Sequence, residues 1–106
     1  MSKYLFIGSY TQQGANGVMA EGGSARRDAA RAAVESIGGT LESFYFGFGE
    51  DDAYIVFDAP SHAAASALSL TVSAGGGFGG RVVVLITPEE IDQAAAMSPG
   101  YRPPGS

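Results

Sequence analysis

The chain has 106 residues, of which 45% are hydrophobic and only 16% charged; six Lys or Arg stand against eleven Asp or Glu, a formal net charge of −5. That length supports one hydrophobic core, the apolar fraction excludes a disordered charged tail, and the acidic balance argues against nucleic acid and anionic membranes as partners. The absence of Cys excludes disulfide frameworks, thiol catalysis and thiolate metal sites, and there is no apolar run of about 18 residues to span a bilayer.

Residues 3–10 (KYLFIGSY) read as a strand, with Tyr4, Phe6 and Tyr10 on one side and Leu5, Ile7 and Ser9 on the other. The opening Met1-Ser2-Lys3 leads straight into this segment without the layout of a cleavable signal, so a cytoplasmic location is expected. Thr11 is placed to cap a short helix reaching Val18 and Met19, weakened by its glycines. Residues 24–37 form a helix with an apolar stripe of Ala25, Ala29, Ala30, Ala33, Val34 and Ile37, and Gly38-Gly39 stops it.

Residues 40–48 (TLESFYFGF) and 53–59 (AYIVFDA) are two strands joined by the polar turn Gly49-Glu50-Asp51-Asp52. Simple alternation puts Phe44, Phe46 and Phe48 on one face and Leu41 with Tyr45 on the other. Ser61 caps a helix running to about Ser73 on Ala64, Ala65, Leu68 and Val72. The glycine run 75–80 ends it, and residues 81–87 (RVVVLIT) form the fourth strand. Thr87-Pro88-Glu89-Glu90 has the spacing of a capping box with Pro at the first helical position, opening a helix that ends near Met97. The domain is thus 1–97, and the Pro/Gly-rich 98–106 is expected to be disordered.

The order β-α-β-β-α-β plus a terminal helix specifies an α+β fold: the ferredoxin-like four-stranded antiparallel sheet with its helices on one face. Both faces of all four strands carry apolar residues. Two helices hide one face, so large side chains stay uncovered whichever face is chosen; one candidate set is Tyr4, Phe6, Tyr10, Phe44, Phe46 and Phe48. A low charged fraction, against about 25% in ordinary domains, points the same way. The expected remedy is a sheet-to-sheet homodimer, a dimeric α/β barrel.

The glycine run contains GxGxxG at Gly75, Gly77 and Gly80, but helix precedes and strand follows, the reverse of a dinucleotide site. The segment GGSARR brings backbone N–H groups and Arg26 and Arg27 to a helix start, where a carboxylate or phosphate fits; the opposing reading pairs these arginines with Glu21, Asp28 or Glu35. Glu50-Asp51-Asp52 reads as a solvated turn rather than a cation site. No metal and no cofactor is expected, and His62, the only histidine, cannot make a multi-histidine site within one chain. Tyr4, Tyr10, Tyr45 and Tyr54 could supply polar handles in an aromatic pocket, or could instead pack an interface.

At EGGSARR (21–27), ESIGG (35–39), ESFYFGFGEDD (42–52) and LITPEEID (85–92) the chain resembles GYD-domain proteins, over roughly residues 3 to 96. That family is small, bacterial and ferredoxin-like, akin to the dimeric α/β-barrel proteins. Asp51 stands where the family's turn has its Tyr. The resemblance implies the fold and an oligomer, and no defined activity.

The expectation is therefore a small cytoplasmic protein that associates with itself and binds a small anionic or aromatic ligand through Tyr4, Tyr10, Tyr45, Tyr54, Arg26 and Arg27. The alternative is a cofactor-independent enzyme, monooxygenase- or isomerase-like, with an aromatic sheet-lined pocket served by tyrosine and His62. A module that docks a partner at an exposed strand edge is a third.

Overall fold

The computed structural model describes residues 1–106. In chain order the elements are β1 (Ser2–Tyr10), α1 (Gln12–Glu21), α2 (Gly23–Ser36), β2 (Thr40–Phe46), β3 (Ala53–Ala59), α3 (His62–Ala74), β4 (Phe78–Leu85) and α4 (Pro88–Ala95). The strands form one sheet in the order β2-β3-β1-β4, every neighbouring pair antiparallel. This is the expected α+β, ferredoxin-like arrangement with α1 as an extra short helix ahead of α2. No helix is long and apolar enough to cross a membrane.

The core forms where α2 and α3 press on one face of the sheet. Tyr4, Phe6, Phe57 and Ala59 from the strands close against Val34 of α2 and Ala65 of α3, with Leu68, Val72 and Phe78 packed around them. An aromatic row crosses the same face: Phe78 lies 5.4 Å from Phe6 and 4.6 Å from Tyr10, Tyr10 lies 6.3 Å from Phe46, and Phe46 lies 5.1 Å from Phe44, ring centre to ring centre. The set Tyr4, Phe6, Tyr10, Phe44 and Phe46, one candidate for the uncovered face, is therefore the helix-facing set.

Three expectations about strand geometry change. A β-bulge between Leu41 and Ser43 breaks the alternation of β2. With one residue inserted, Leu41 opposes Phe57 while Phe44 opposes Ile55, so Leu41 shares the helix face with Phe44 and Phe46 and leaves Tyr45 on the other side. β2 ends at Phe46 rather than Phe48, because Gly47 turns to donate its N–H to the Asp52 carbonyl at 2.9 Å; Phe48 is left fully exposed. The fourth strand starts at Phe78, inside the glycine run, since Phe78 and Gly80 pair with Tyr10 and Gly8 of β1.

The glycines here serve close packing. A side chain at Gly8 would meet the Phe78 ring at 2.5 Å and the Gly79 carbonyl at 2.7 Å; the missing Cβ lets that ring lie on the central strand. Thr11 anchors α1 to the same region. Its N–H donates to the Gly77 carbonyl at 3.0 Å, and its hydroxyl donates to the Gly76 carbonyl at 2.9 Å and accepts the Gly14 N–H at 3.2 Å. Gly22, at φ 89°, separates α1 from α2, so residues 12–37 are two helices.

The opposite sheet face is covered by nothing in the chain. Leu5 and Ile7 of β1 sit beside Val56, Tyr54 and Val83, and Tyr45 opposes Tyr54; Tyr45 is 70% exposed. Neither α1 nor α4 folds over it: α1 lies against Gly77 on the helix side, and α4 is wholly exposed. At one end of this face Lys3 Nζ donates to Glu42 Oε1 at 2.6 Å and Asp58 Oδ2 at 3.1 Å.

Replacing Gly8 with Ala is expected to lower unfolding free energy by roughly 1–3 kcal/mol, the usual cost of overpacking. Urea titration of G8A measures it, and an unchanged midpoint would contradict the ring-on-strand contact.

Candidate functional site

A pocket of about 110 Å³ lies between the sheet and helices α2 and α3. It exists because the two sides do not match in size. The sheet offers Phe6, Phe44, Ile55, Phe57 and Phe78, whereas α2 answers with Ala29, Ala30 and Ala33. Alanines fill little volume, so aromatic rings on the floor face a shallow roof. Leu68 and Val72 of α3 form the far wall.

Two groups give the pocket polarity. Arg26, in the first turn of α2, supplies the only charge on its lining, and Tyr10 contributes a phenol. Arg26 also borders a more polar pocket of about 320 Å³ shared with α1, where its Nη1 lies 3.6 Å from Glu21 Oε2. That pair is long and exposed, the class worth at most about 1 kcal/mol, so an incoming carboxylate could replace Glu21. Burial pushes the Tyr10 phenol above its ordinary value, while Arg26 beside it pulls the other way. Tyr10 therefore stays a neutral hydrogen-bond donor at neutral pH. Its backbone is fixed by Asp52, whose Oδ2 accepts the Tyr10 N–H at 2.9 Å, and the Asp52 N–H donates to the Gly8 carbonyl at 2.9 Å.

The structure separates the six residues singled out in the sequence. Tyr10 and Arg26 meet at the apolar pocket. Arg27 lies outside it, exposed, with its Nε 3.3 Å from Asp28. Tyr45 and Tyr54 are cross-strand neighbours on the open sheet face. Tyr4 is buried in the core, its ring 5.5 Å from Phe57, and its hydroxyl shares a 2.6 Å hydrogen bond with His62 Nδ1. That pair opens on a separate cleft of about 310 Å³ between α3 and β4, lined also by Ser66 and Ser69. Asp58, four residues before His62 in the chain, serves Lys3 on the other side of the sheet, because successive residues of a strand point to opposite faces.

Sequence reading missed the structural part played by Asp52, which the acidic turn appeared to leave to solvent, and the alanine roof of the pocket, which looked like ordinary helix stripe. No three His, Asp or Glu side chains gather where they could hold a metal ion.

Tyr10 and Lys3 both set an alkaline limit. Burial raises the Tyr10 phenol, and the hydrogen bonds that the Lys3 ammonium donates to Glu42 and then Asp58 raise it. A group whose folded value lies above its unfolded one adds stability that is complete below the unfolded value and is lost as pH climbs through the folded one. With both reference values at about 10, the melting temperature should hold level from these groups up to about pH 9.5 and fall beyond it. The fall should be smaller in Tyr10→Phe. Thermal unfolding followed by circular dichroism checks this; a wild-type melting temperature that rises with pH in that range would overturn it.

Among known families, the model of the GYD domain matches residues 4–95. No curated protein and no solved structure matches the chain.

Proposed function

The chain belongs to the GYD-domain family, and on that premise we propose that it is a small cytoplasmic protein that associates with itself and binds a compact aromatic or aliphatic carboxylate between its sheet and helices α2 and α3. One observation carries the reading: an otherwise apolar pocket has one cation, Arg26, and one neutral phenol, Tyr10, on its lining. Apolar walls with a few convergent polar groups are the usual make-up of a small-molecule site. At about 110 Å³ the space is on the scale of one small ring; a dry cavity of about 150 Å³ takes benzene. The guanidinium would hold the carboxylate in a forked, charge-assisted contact, with the Tyr10 hydroxyl as an additional donor.

Self-association draws support from the open sheet face. Leu5, Ile7, Val56, Tyr54, Tyr45 and Val83 make one continuous apolar surface across four strands. Monomers seldom leave such a surface bare, and a second copy of the same face is its natural cover.

The enzyme reading, monooxygenase- or isomerase-like, has the Tyr4–His62 hydrogen bond in its favour, since a short bond between two titratable groups can move a proton. Against it, that pair faces the α3–β4 cleft rather than the apolar pocket. Within the apolar pocket, Tyr10 is held neutral with no base on the lining. Binding accounts for the pocket with fewer requirements than catalysis does.

Benzoate and benzyl alcohol separate the parts of the binding claim. Benzoate is expected to raise the melting temperature, benzyl alcohol to raise it less, and Arg26→Gln to remove the difference between them. Stabilisation by neither compound would end the proposal. For association, sedimentation at micromolar concentration should give a species of twice the 10.8 kDa chain mass, and Tyr54→Glu should shift it toward monomer.

A further inference from the structure

Every residue from Ile86 to Ser106 is exposed, α4 included. The molecule is drawn out to 57 × 32 × 23 Å, with a radius of gyration of 17.0 Å, where a compact chain of about 100 residues has roughly 13 Å. Yet α4 is strongly specified. Thr87 Oγ1 accepts the Glu90 N–H at 3.1 Å, Glu90 Oε1 accepts the Thr87 N–H at 3.1 Å, and Pro88 occupies the first turn. Eight residues fall short of the roughly 12–15 that a helix needs to persist unaided in water. A helix with so well formed a start and nothing packed on it is a helix awaiting a surface. Pro88, Ile91 and Ala95 share one of its sides at helical spacing, and Ile91 and Met97 are more than half exposed.

We propose that residues 86–101 are an arm that docks on a second copy of this chain, laying Ile91 and Met97 along edge strand β4 at the rim of that copy's open sheet face. The proposal rests on the self-association argued above and names the segment that completes the interface. Two observations select a second copy as the occupant. The first is area. Four strands spaced about 4.8 Å apart and about seven residues long, at ~3.3 Å each, project to roughly 19 × 23 Å, or about 440 Å². A standard interface takes about 800 Å² from each partner. That flat footprint is the least the face can bury, and an exposed arm of some 16 residues is the segment of this chain free to add to it. The second is charge. Arg81 stands on the open face of β4 beside Ile7 and makes no ion pair, and Glu89 and Asp92 on α4 are also without one. An arm crossing β4 of the other copy would bring these opposite charges together.

Amide hydrogen exchange and sedimentation on the full chain test the arm together. In a dimer the α4 amides should be protected, and dilution into the monomer range should release them. Ile91→Asp should abolish that protection and loosen association, while at monomeric dilution its circular-dichroism melting curve should match that of the wild type, because Ile91 touches none of the core. Arg81→Glu should weaken association about tenfold, with E89R and D92R added to it recovering most of the loss. A dimer whose α4 amides exchange freely at every concentration would overturn the arm and leave self-association standing. A chain that stays monomeric up to about 100 µM would overturn both. Protected α4 amides with association indifferent to R81E would overturn docking at β4.

Discussion

The structure depends on the antiparallel register of β1 between β3 and β4. β1 is a central strand, so its alternation decides what every other element meets. Tyr4, Phe6, Gly8 and Tyr10 face the helices, while Leu5 and Ile7 face the other way. A slip of one residue would exchange the two sets. It would drive Lys3 under the helices, away from Glu42 and Asp58, and leave Tyr4 without His62. The ion cluster on one face and the buried tyrosine on the other therefore hold the same register from opposite sides. Gly8 adds a third restraint, since only a position without a side chain admits the Phe78 ring.

The candidate binding site follows from that register and from the composition of α2. Once the aromatic row is committed to the helix face, the roof above it determines whether the core is filled. Ala29, Ala30 and Ala33 do not fill it. Larger residues there would produce a tighter core and no pocket. The weak helix-on-sheet packing and the exposed apolar face on the other side have a common consequence: a chain of 106 residues has only eight buried positions. Little of its stability comes from a sealed interior, which is the physical setting in which a second copy and a bound ligand would matter most.

Tyr4 and His62 illustrate how the fold separates functions that the sequence could only group. The four strand tyrosines looked like one pool of polar handles. The sheet distributes them to a buried hydrogen bond with His62, to the apolar pocket beside Arg26, and to a cross-strand pair on the open face. Arg26 and Arg27, adjacent in sequence, part for a similar reason. Neighbouring residues on a helix point about 100° apart, so one looks into the pocket and the other toward Asp28.

The amino-acid order alone determined the element sequence, the antiparallel α+β architecture, the caps at Thr11, Ser61 and Thr87, and the presence of more apolar strand surface than two helices can cover. These are local or periodic properties, set by spacing along the chain. Three things were decided only in three dimensions. The bulge after Leu41 reversed one face of β2, because its cause is pairing with β3 rather than any pattern within the strand itself. The start of β4 moved into the glycine run, because a glycine-rich stretch with little propensity of its own becomes strand when β1 offers a ladder. The pocket, finally, is a mismatch between alanines on α2 and rings from four strands, a volume difference between residues far apart in sequence that no local reading can measure.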